Sequence, residues 1–264
     1  MDVTNPVIEL LDRRCSTRAY APQPITLDER AAILHAAMRA PTAGNLMLYS
    51  IIEVADPALK ARLAETCDHQ PFIARAPLVL VFVADLQKWA DLFAATGCKR
   101  LESLPPKSEP GMGDFVLACC DALIAAQNAV VAAESLGIGS CYIGDIVEQG
   151  EAHAELLGLP HFTFPVTMLC FGRPKGRPHR TERYERHVVH RDRYRRLTAA
   201  ELEQASRELD GLFGSGAGGR SDGSDGDSAA YVRGVFTRKF TADFSLEADR
   251  SVAWWLERWR SGAE

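Results

Sequence analysis

The chain has 264 residues, 47% apolar and 25% charged, an ordinary globular composition with ample material for a buried core. Thirty Lys+Arg against 35 Asp+Glu leave a net charge of −5, which excludes a global polycation built for nucleic acid and a polyacidic tail. The opening MDVTNPVIELLDRR lacks a basic stretch followed by an apolar run, so no secretory leader is expected. The most apolar stretch, 115–136, carries Asp121, Gln127, Asn128 and Glu134, so no membrane span is expected either. Seven cysteines, an odd number without a CxxC pair, read as reduced thiols of a cytoplasmic protein rather than a disulfide framework or zinc ribbon. Of these only Cys15, between Arg14 and Ser16, has an electropositive setting; the other six read as packing residues.

In chain order, Asn5 and Pro6 open a first helix with Val7, Ile8, Leu10 and Leu11 as its apolar stripe. Thr26 and Glu29 form a capping box for a second, which is expected to bury Leu27, Ile33, Leu34, Ala37 and Met38 and to stop at Pro41. Two β-rich runs follow at 50–54 and 78–84, the second continuously apolar as in a buried strand. Residues 86–112 combine a helical hint at Trp89, Leu92 and Phe93 with the loop PPKSEPGMG, either a substrate-contacting lid or a surface insertion. The 115–136 stretch is a helix with small or apolar residues on nearly every side, which belongs at the centre of the fold or against a partner subunit, and Gly137 ends it. IGSCYIGDI is a short strand or turn, 164–171 another strand, and a capping box at Thr198 and Glu201 starts a further helix to about Leu209. From 214 to 229, 13 of 16 residues are Gly, Ser or Asp, which reads as a flexible linker. Beyond it Val252, Trp255, Leu256 and Trp259 fall at i, i+3, i+4, i+7, one apolar helix face that must dock on the main body or on a second subunit.

Three segments bear on function. Arg13-Arg14-Cys15-Ser16-Thr17-Arg18 offers guanidiniums and hydroxyls just past a helix end, suited to a phosphate, although Arg13 and Arg14 also complement the helix dipole. Residues 172–196 hold ten of the 30 Lys+Arg and only three acids, either a solvated basic face or a second arm for the same small anion. Interleaved exposed aromatics or a known nucleic-acid module are not evident there. Pro41-Thr42-Ala43-Gly44-Asn45 is a turn of small residues that lets a backbone approach a ligand closely, with Asn45 able to donate and accept. GxSxG, HExxH, P-loop and helix-opening GxGxxG motifs are all missing, and the seven histidines show no paired metal spacing.

RRCSTRAYAPQPITLDERAAILHAAMRAPTAGNLMLYSIIEV resembles the opening of the flavin-dependent nitroreductase family, with its R-R-S-x-R-x-[FY] loop and A-P-S-x-x-N-x-Q-P-W turn. APLVLVFVAD, DALIAAQNAVVAAESLGIGSCYIGDI and VTMLCFGRP match further segments in the same order. RYERHVVHRDRYRRLTAAEL and FTRKFTADFSLEADRSVAWWLERW are similar to a subgroup with a C-terminal helical extension. The resemblance implies an α+β sandwich, a mostly antiparallel sheet wrapped by helices, in a homodimer with FMN at the interface. It implies a main domain at 1–213, a linker at 214–229 and an extension helix at 230–264. By the same resemblance Arg14, Cys15, Ser16 and Arg18 hold the FMN phosphate, ribityl chain and pyrimidine edge. Pro41, Thr42, Ala43 and Asn45 reach the flavin from the other subunit. Gln70 lies near the pyrimidine ring, Ile143 and Gly144 place a backbone N–H by N5, and Arg183, with Arg180 as a second candidate, serves the phosphate.

The expected activity is hydride transfer from NAD(P)H through FMN N5 to a small organic acceptor, a nitroaromatic, quinone or similar, by a ping-pong route. No side-chain general acid and no metal is required. A specialised flavin dehydrogenase or dehalogenase of the same fold, or a non-catalytic FMN-storing protein, is the alternative. Cys15 replaces the usual second Arg or His of the loop, and Met47-Leu48-Tyr49 replaces Gln-Pro-Trp. Those departures put ordinary nitroarene reduction in question more than they do FMN.

Overall fold

The continuously apolar run at 78–84 becomes the strand around which the first part of the molecule is organised. In the computed structural model, which describes residues 3–98, 110–176, 182–214 and 229–261, four strands form one antiparallel sheet in the order β1-β2-β4-β3. They are β1 (Tyr49–Glu53), β2 (Leu78–Asp85), β3 (Gly139–Ile143) and β4 (Thr163–Gly172). Every residue of β2 is buried, because both of its faces are covered. Val79, Val81 and Val83 point into one apolar cluster and Leu78, Leu80 and Phe82 into the other. Pro165 lies in β4 although β4 is an inner strand. A register shift opposite Phe82 and Val83, which skips Val166, accommodates the residue that cannot donate to the ladder.

Ten α-helices are described: α1 (Pro6–Arg13), α2 (Leu27–Met38), α3 (Pro57–Thr66), α4 (Pro71–Arg75), α5 (Gln87–Ala95), α6 (Met112–Ser135), α7 (Gly150–Leu157), α8 (Ala199–Phe213), α9 (Ala230–Val235) and α10 (Asp243–Arg260). Asn5 caps α1 through Val7 N and Ile8 N, and the capping boxes expected at Thr26–Glu29 and Thr198–Glu201 both form. On one face of the sheet α6 lays Ala122, Ala125, Ala126 and Ala129 against β2 and β4, with Ile33 and Ala37 of α2 beside them. On the other face Leu63 from α3, Cys67 just past its end, Ile73 from α4, and Trp255 and Trp259 from α10 close the second cluster. Alanines let a helix axis approach a sheet closely, which explains the small residues of α6. Among the described residues α6 is also the one helix long and apolar enough to cross a membrane, with mean hydropathy 1.8, yet a row of its side chains is packed on the sheet.

By contacts the chain divides into two units, Met1–Arg180 with Glu247–Glu264, and Thr181–Leu246. The second holds α8, α9 and the first turn of α10; within it Asp210 Oδ1 accepts from Tyr231 N at 3.1 Å. The glycine- and serine-rich 214–229 segment falls almost wholly outside the described residues, as do 99–109 of the expected lid.

Several expectations need correction. Leu27 and Met38 are exposed, at 79% and 49%, and Leu34 is half-buried, so α2 buries only the Ile33–Ala37 side. The cysteines do not all pack: Cys67, Cys141 and Cys170 are buried, Cys15 and Cys119 half-buried, and Cys98 and Cys120 exposed. Cys98 lies beyond α5, and Cys120 sits on the side of α6 turned away from the sheet. None of the seven is in a disulfide. α8 runs on to Phe213, and α3, α4 and α7 had not been anticipated.

Candidate functional site

The Arg14–Arg18 loop leaves α1 and is stitched along β3. Thr17 N donates to Ser140 O at 2.8 Å, and Ser16 bridges Ser140 in parallel. Farther on, Ala21 N donates to Arg173 O at 2.8 Å and Lys175 N to Ala19 O at 3.0 Å. Two glycines make this close approach possible. Gly139 and Gly172 are partners across β3 and β4; a Cβ on the first would collide with Thr17 and one on the second with the Tyr20 ring. The loop therefore lies flat on the sheet with Arg18 exposed, its guanidinium 5.9 Å from the Phe72 ring centroid. Neither Arg14 nor Arg18 is in an ion pair among the described residues. Burial pushes the Cys141 thiol up, against the opposing pull of Arg18, Ser16 and Arg14, which places these groups beside one another.

Ile143 and Gly144 follow at the end of β3. Ile143 is buried and Gly144 exposed, with φ −76°, and a Cβ on Gly144 would meet nothing within 4 Å. The backbone of Gly144 therefore borders open space.

Gln70 reaches the same place from α3. After Cys67, residues Asp68 and His69 take left-handed backbones, φ 56° and 50°, before Gln70 N returns to Ala64 O at 2.8 Å. Two consecutive non-glycine residues in that region are strained and persist only where the surroundings over-determine them. The Gln70 amide nitrogen donates to Cys67 O at 2.9 Å and to Asp145 Oδ2 at 2.6 Å. Thus the structure brings together the loop with Arg14, Cys15, Ser16 and Arg18, the Ile143–Gly144 turn, and Gln70.

Pro41, Thr42, Ala43 and Asn45 form a separate turn. No hydrogen bond or ion pair among the described residues joins it to the Arg14–Arg18 loop. Gly44, Asn45 and Met47 there have φ of 58°, 59° and 49°. The residue that holds this turn is Asp121 of α6, only 3% exposed. It accepts from the Thr42 hydroxyl, from Ala43 N at 3.0 Å and from Leu48 N at 3.2 Å. Sequence reasoning counted Asp121 only as a charge on an apolar helix; that isolation was itself the signal, because an unpaired carboxylate is not buried. Leu48 and Tyr49, at the site of the departure from the family pattern, are buried, and the Tyr49 hydroxyl donates to Ala37 O at 3.3 Å.

Arg183 belongs to the second unit, where it lines a groove with Tyr184, Arg186 and Glu208. Tyr184 donates to Glu208 at 3.0 Å, and Arg186 pairs with the same carboxylate at 2.7 Å. Arg180 lies outside the described residues.

The sequence model of the nitroreductase family matches residues 11–173. The chain belongs to the nitroreductase family. An oxygen-insensitive NADPH nitroreductase of Salmonella typhimurium is 33% identical over 207 residues, 78% of this chain and 81% of the relative. A Bacillus subtilis FMN reductase (NADPH) is 31% identical over 188 residues, 71% and 74% of the two chains. Among solved structures, the NfrA1 nitroreductase from B. subtilis aligns with TM-score 0.73 and 26% identity over 92% of this chain and 98% of that one. The NADPH:FMN oxidoreductase from Vibrio harveyi, complexed with NAD+, aligns at TM-score 0.75 and 24% identity over 96% and 98%, a likeness of fold. The sandwich of helices about an antiparallel sheet is therefore the nitroreductase fold, as the residues had implied.

The residues present fit a flavin mononucleotide. Two unpaired guanidiniums and a serine suit a phosphate and an electron-rich ring edge. Gly144 offers open space for a flat ring, and Gln70 presents a carbonyl whose amide partner is already engaged.

Proposed function

We propose that this chain is an FMN-dependent NAD(P)H oxidoreductase that passes electrons to a small organic acceptor, such as a nitroaromatic or a quinone, in alternating half-reactions. The observation that carries this reading is the gathering along β3 of the Arg14–Arg18 loop, outside any ion pair among the described residues, with the Gln70 amide and the open Gly144 turn. Bound FMN supplies hydride chemistry at N5. Arg14 and Ser16 hold the phosphate end through charge-assisted hydrogen bonds. Arg18, fixed beside Phe72 and Cys141, sets a positive charge against the pyrimidine edge, where negative charge grows on reduction. The Gly144 backbone addresses N5, and Ile143 anchors that turn in the core. Cys15 lines the loop without a chemical role of its own. A second copy of the chain contributes Pro41, Thr42, Ala43 and Asn45, held in shape by Asp121. Seven free thiols accord with a cytoplasmic location.

Anaerobic mixing of the purified protein with FMN and NADPH tests the proposal: the flavin absorbance at about 450 nm should bleach and return on adding a nitroaromatic or quinone. A protein that binds FMN but is not bleached by NADPH or NADH is a flavin store, and the reductase reading falls.

A further inference from the structure

The Gln70 amide is held by two groups that can only accept. One is the Asp145 carboxylate, the other the peptide carbonyl of Cys67. Both hydrogens of its NH2 are thereby used, and rotation of the amide by half a turn would set three oxygens against one another. Its backbone is equally constrained, between the left-handed Asp68–His69 pair and the bond to Ala64 O. The carboxylate itself stands on a stiff support. Asp145 follows Gly144 directly, and Glu148 N bonds back to Asp145 O at 3.1 Å. Behind it the His153 ring spans Ile146 O at 2.9 Å and Thr66 Oγ1 at 2.8 Å, and Gln149 Nε2 reaches Thr66 O at 3.1 Å. The turn after β3 and the end of α3 are thus fastened together at three places.

We infer that Asp145 is a positioning residue that fixes which end of the Gln70 amide faces the cofactor, so that the site reads a ring N–H with a carbonyl. The inference rests on the flavin reading above and deepens it. A flavin pyrimidine edge presents one N–H, at N3, between two carbonyl acceptors, and an amide free to rotate would pair with either kind. With its NH2 tied to Asp145 and Cys67, Gln70 offers Oε1 alone, which pairs with N3–H and repels the carbonyls. Because Asp145 adjoins Gly144, one carboxylate sets the spacing between the N5 contact and the N3 contact. Glu148, buried next to Asp145 with Asp68 and Glu247 around it, is pushed up to about 7 by burial first and by those carboxylates next.

Asp145→Asn breaks the logic with little change of shape, since an amide at 145 both donates and accepts and lets Gln70 turn. Asp145→Glu keeps it: residue 145 still only accepts, and the Gln70 amide retains its donor bond to Cys67 O. The probe is 15N-labelled FMN, read through the N3 proton resonance and its exchange with water, with FMN affinity measured alongside. The wild-type protein should show a downfield, slowly exchanging N3 proton. Asp145→Asn should move it upfield, speed its exchange and weaken FMN binding about tenfold, the value of one hydrogen bond. Asp145→Glu should keep the resonance and hold affinity within about threefold of wild type. A loss in Asp145→Asn that Asp145→Glu shares in full assigns Asp145 a merely structural role and overturns the inference. An N3 signal unchanged in Asp145→Asn overturns it as well, while the flavin reading stands. A wild-type protein that takes up no FMN overturns both.

Discussion

At the residue scale two buried carboxylates do different jobs. Asp121 satisfies two backbone N–H groups and a hydroxyl in a turn with three positive-φ residues, so its removal exposes both unmet donors and backbone strain. Asp121→Ala should cost about 2–4 kcal/mol by thermal or urea unfolding and lower FMN uptake, and Asp121→Asn should cost less while still disturbing the turn. Glu148 works in the opposite sense. Its folded-state value of about 7 lies above the ordinary 4.5, so the folded chain holds that proton more tightly than the unfolded chain does. Its contribution to stability is complete below about 4.5 and lost as pH rises through about 7. Glu148→Gln should therefore melt with the wild type at pH 5 and roughly 3–6 °C above it at pH 8. Equal melting temperatures at both pH values would contradict this. The Arg14–Arg18 loop, Gln70 and Gly144 were legible in the sequence through the family pattern. Asp121, Asp145 and Glu148 were not, because a carboxylate's role depends on which distant donors the fold brings to it.

At the element scale, pattern predicted what burial enforces. The continuous apolar run became β2, both polar-to-glutamate capping boxes formed, and Val252, Trp255 and Trp259 became the docked face of α10, with Trp254 beside them in place of Leu256 and Trp255 and Trp259 each 2% exposed. The short α4 and α7 escaped because five and eight residues carry too little periodicity; their neighbours, not their propensities, hold them. Leu27 and Met38 were assigned inward on pattern alone, whereas only the Ile33–Ala37 side of α2 meets α6. The α10 dock itself is specific. Ser251 Oγ donates to Val147 O at 2.6 Å and accepts from Gly150 N at 2.8 Å, and a Cβ on Gly150 would strike Trp254, Trp255 and Ser251. Arg250 adds a bidentate pair to Glu151 at 2.8 Å, exposed and of small worth. Trp255→Ala should cost about 3–5 kcal/mol and Gly150→Ala about 1–3 kcal/mol in equilibrium unfolding, with Arg250→Ala nearly silent. Because this dock backs the turn that carries Gly144, FMN affinity should fall with the first two variants and stay level with the third.

At the scale of the whole molecule, the net charge of −5 conceals two basic segments, and the apolar content conceals an uncovered stripe. On α6 the residues turned away from the sheet are Val116, Leu117, Leu123 and Ile124, 40–56% exposed, and α1 adds Val7 and Leu11 at 57% and 47%. A monomer rarely leaves so continuous an apolar face in water. The candidate site points the same way, since the Pro41–Asn45 turn is rigidly built yet makes no hydrogen bond or ion pair with the loop it should complete. A second copy seated on the α6 stripe accounts for both. The protein should then sediment at about twice the 28.9 kDa of one chain. Replacing Leu123 and Ile124 together by Glu puts charge into that face without touching the alanines packed on the sheet. It should yield a folded monomer by circular dichroism and sedimentation. If the turn reaches the flavin only from the partner, that monomer should also lose most of its FMN affinity. A monomer that binds FMN as tightly as the wild type would show that one chain completes its own site, and would remove Thr42, Ala43 and Asn45 from the partner's share of it.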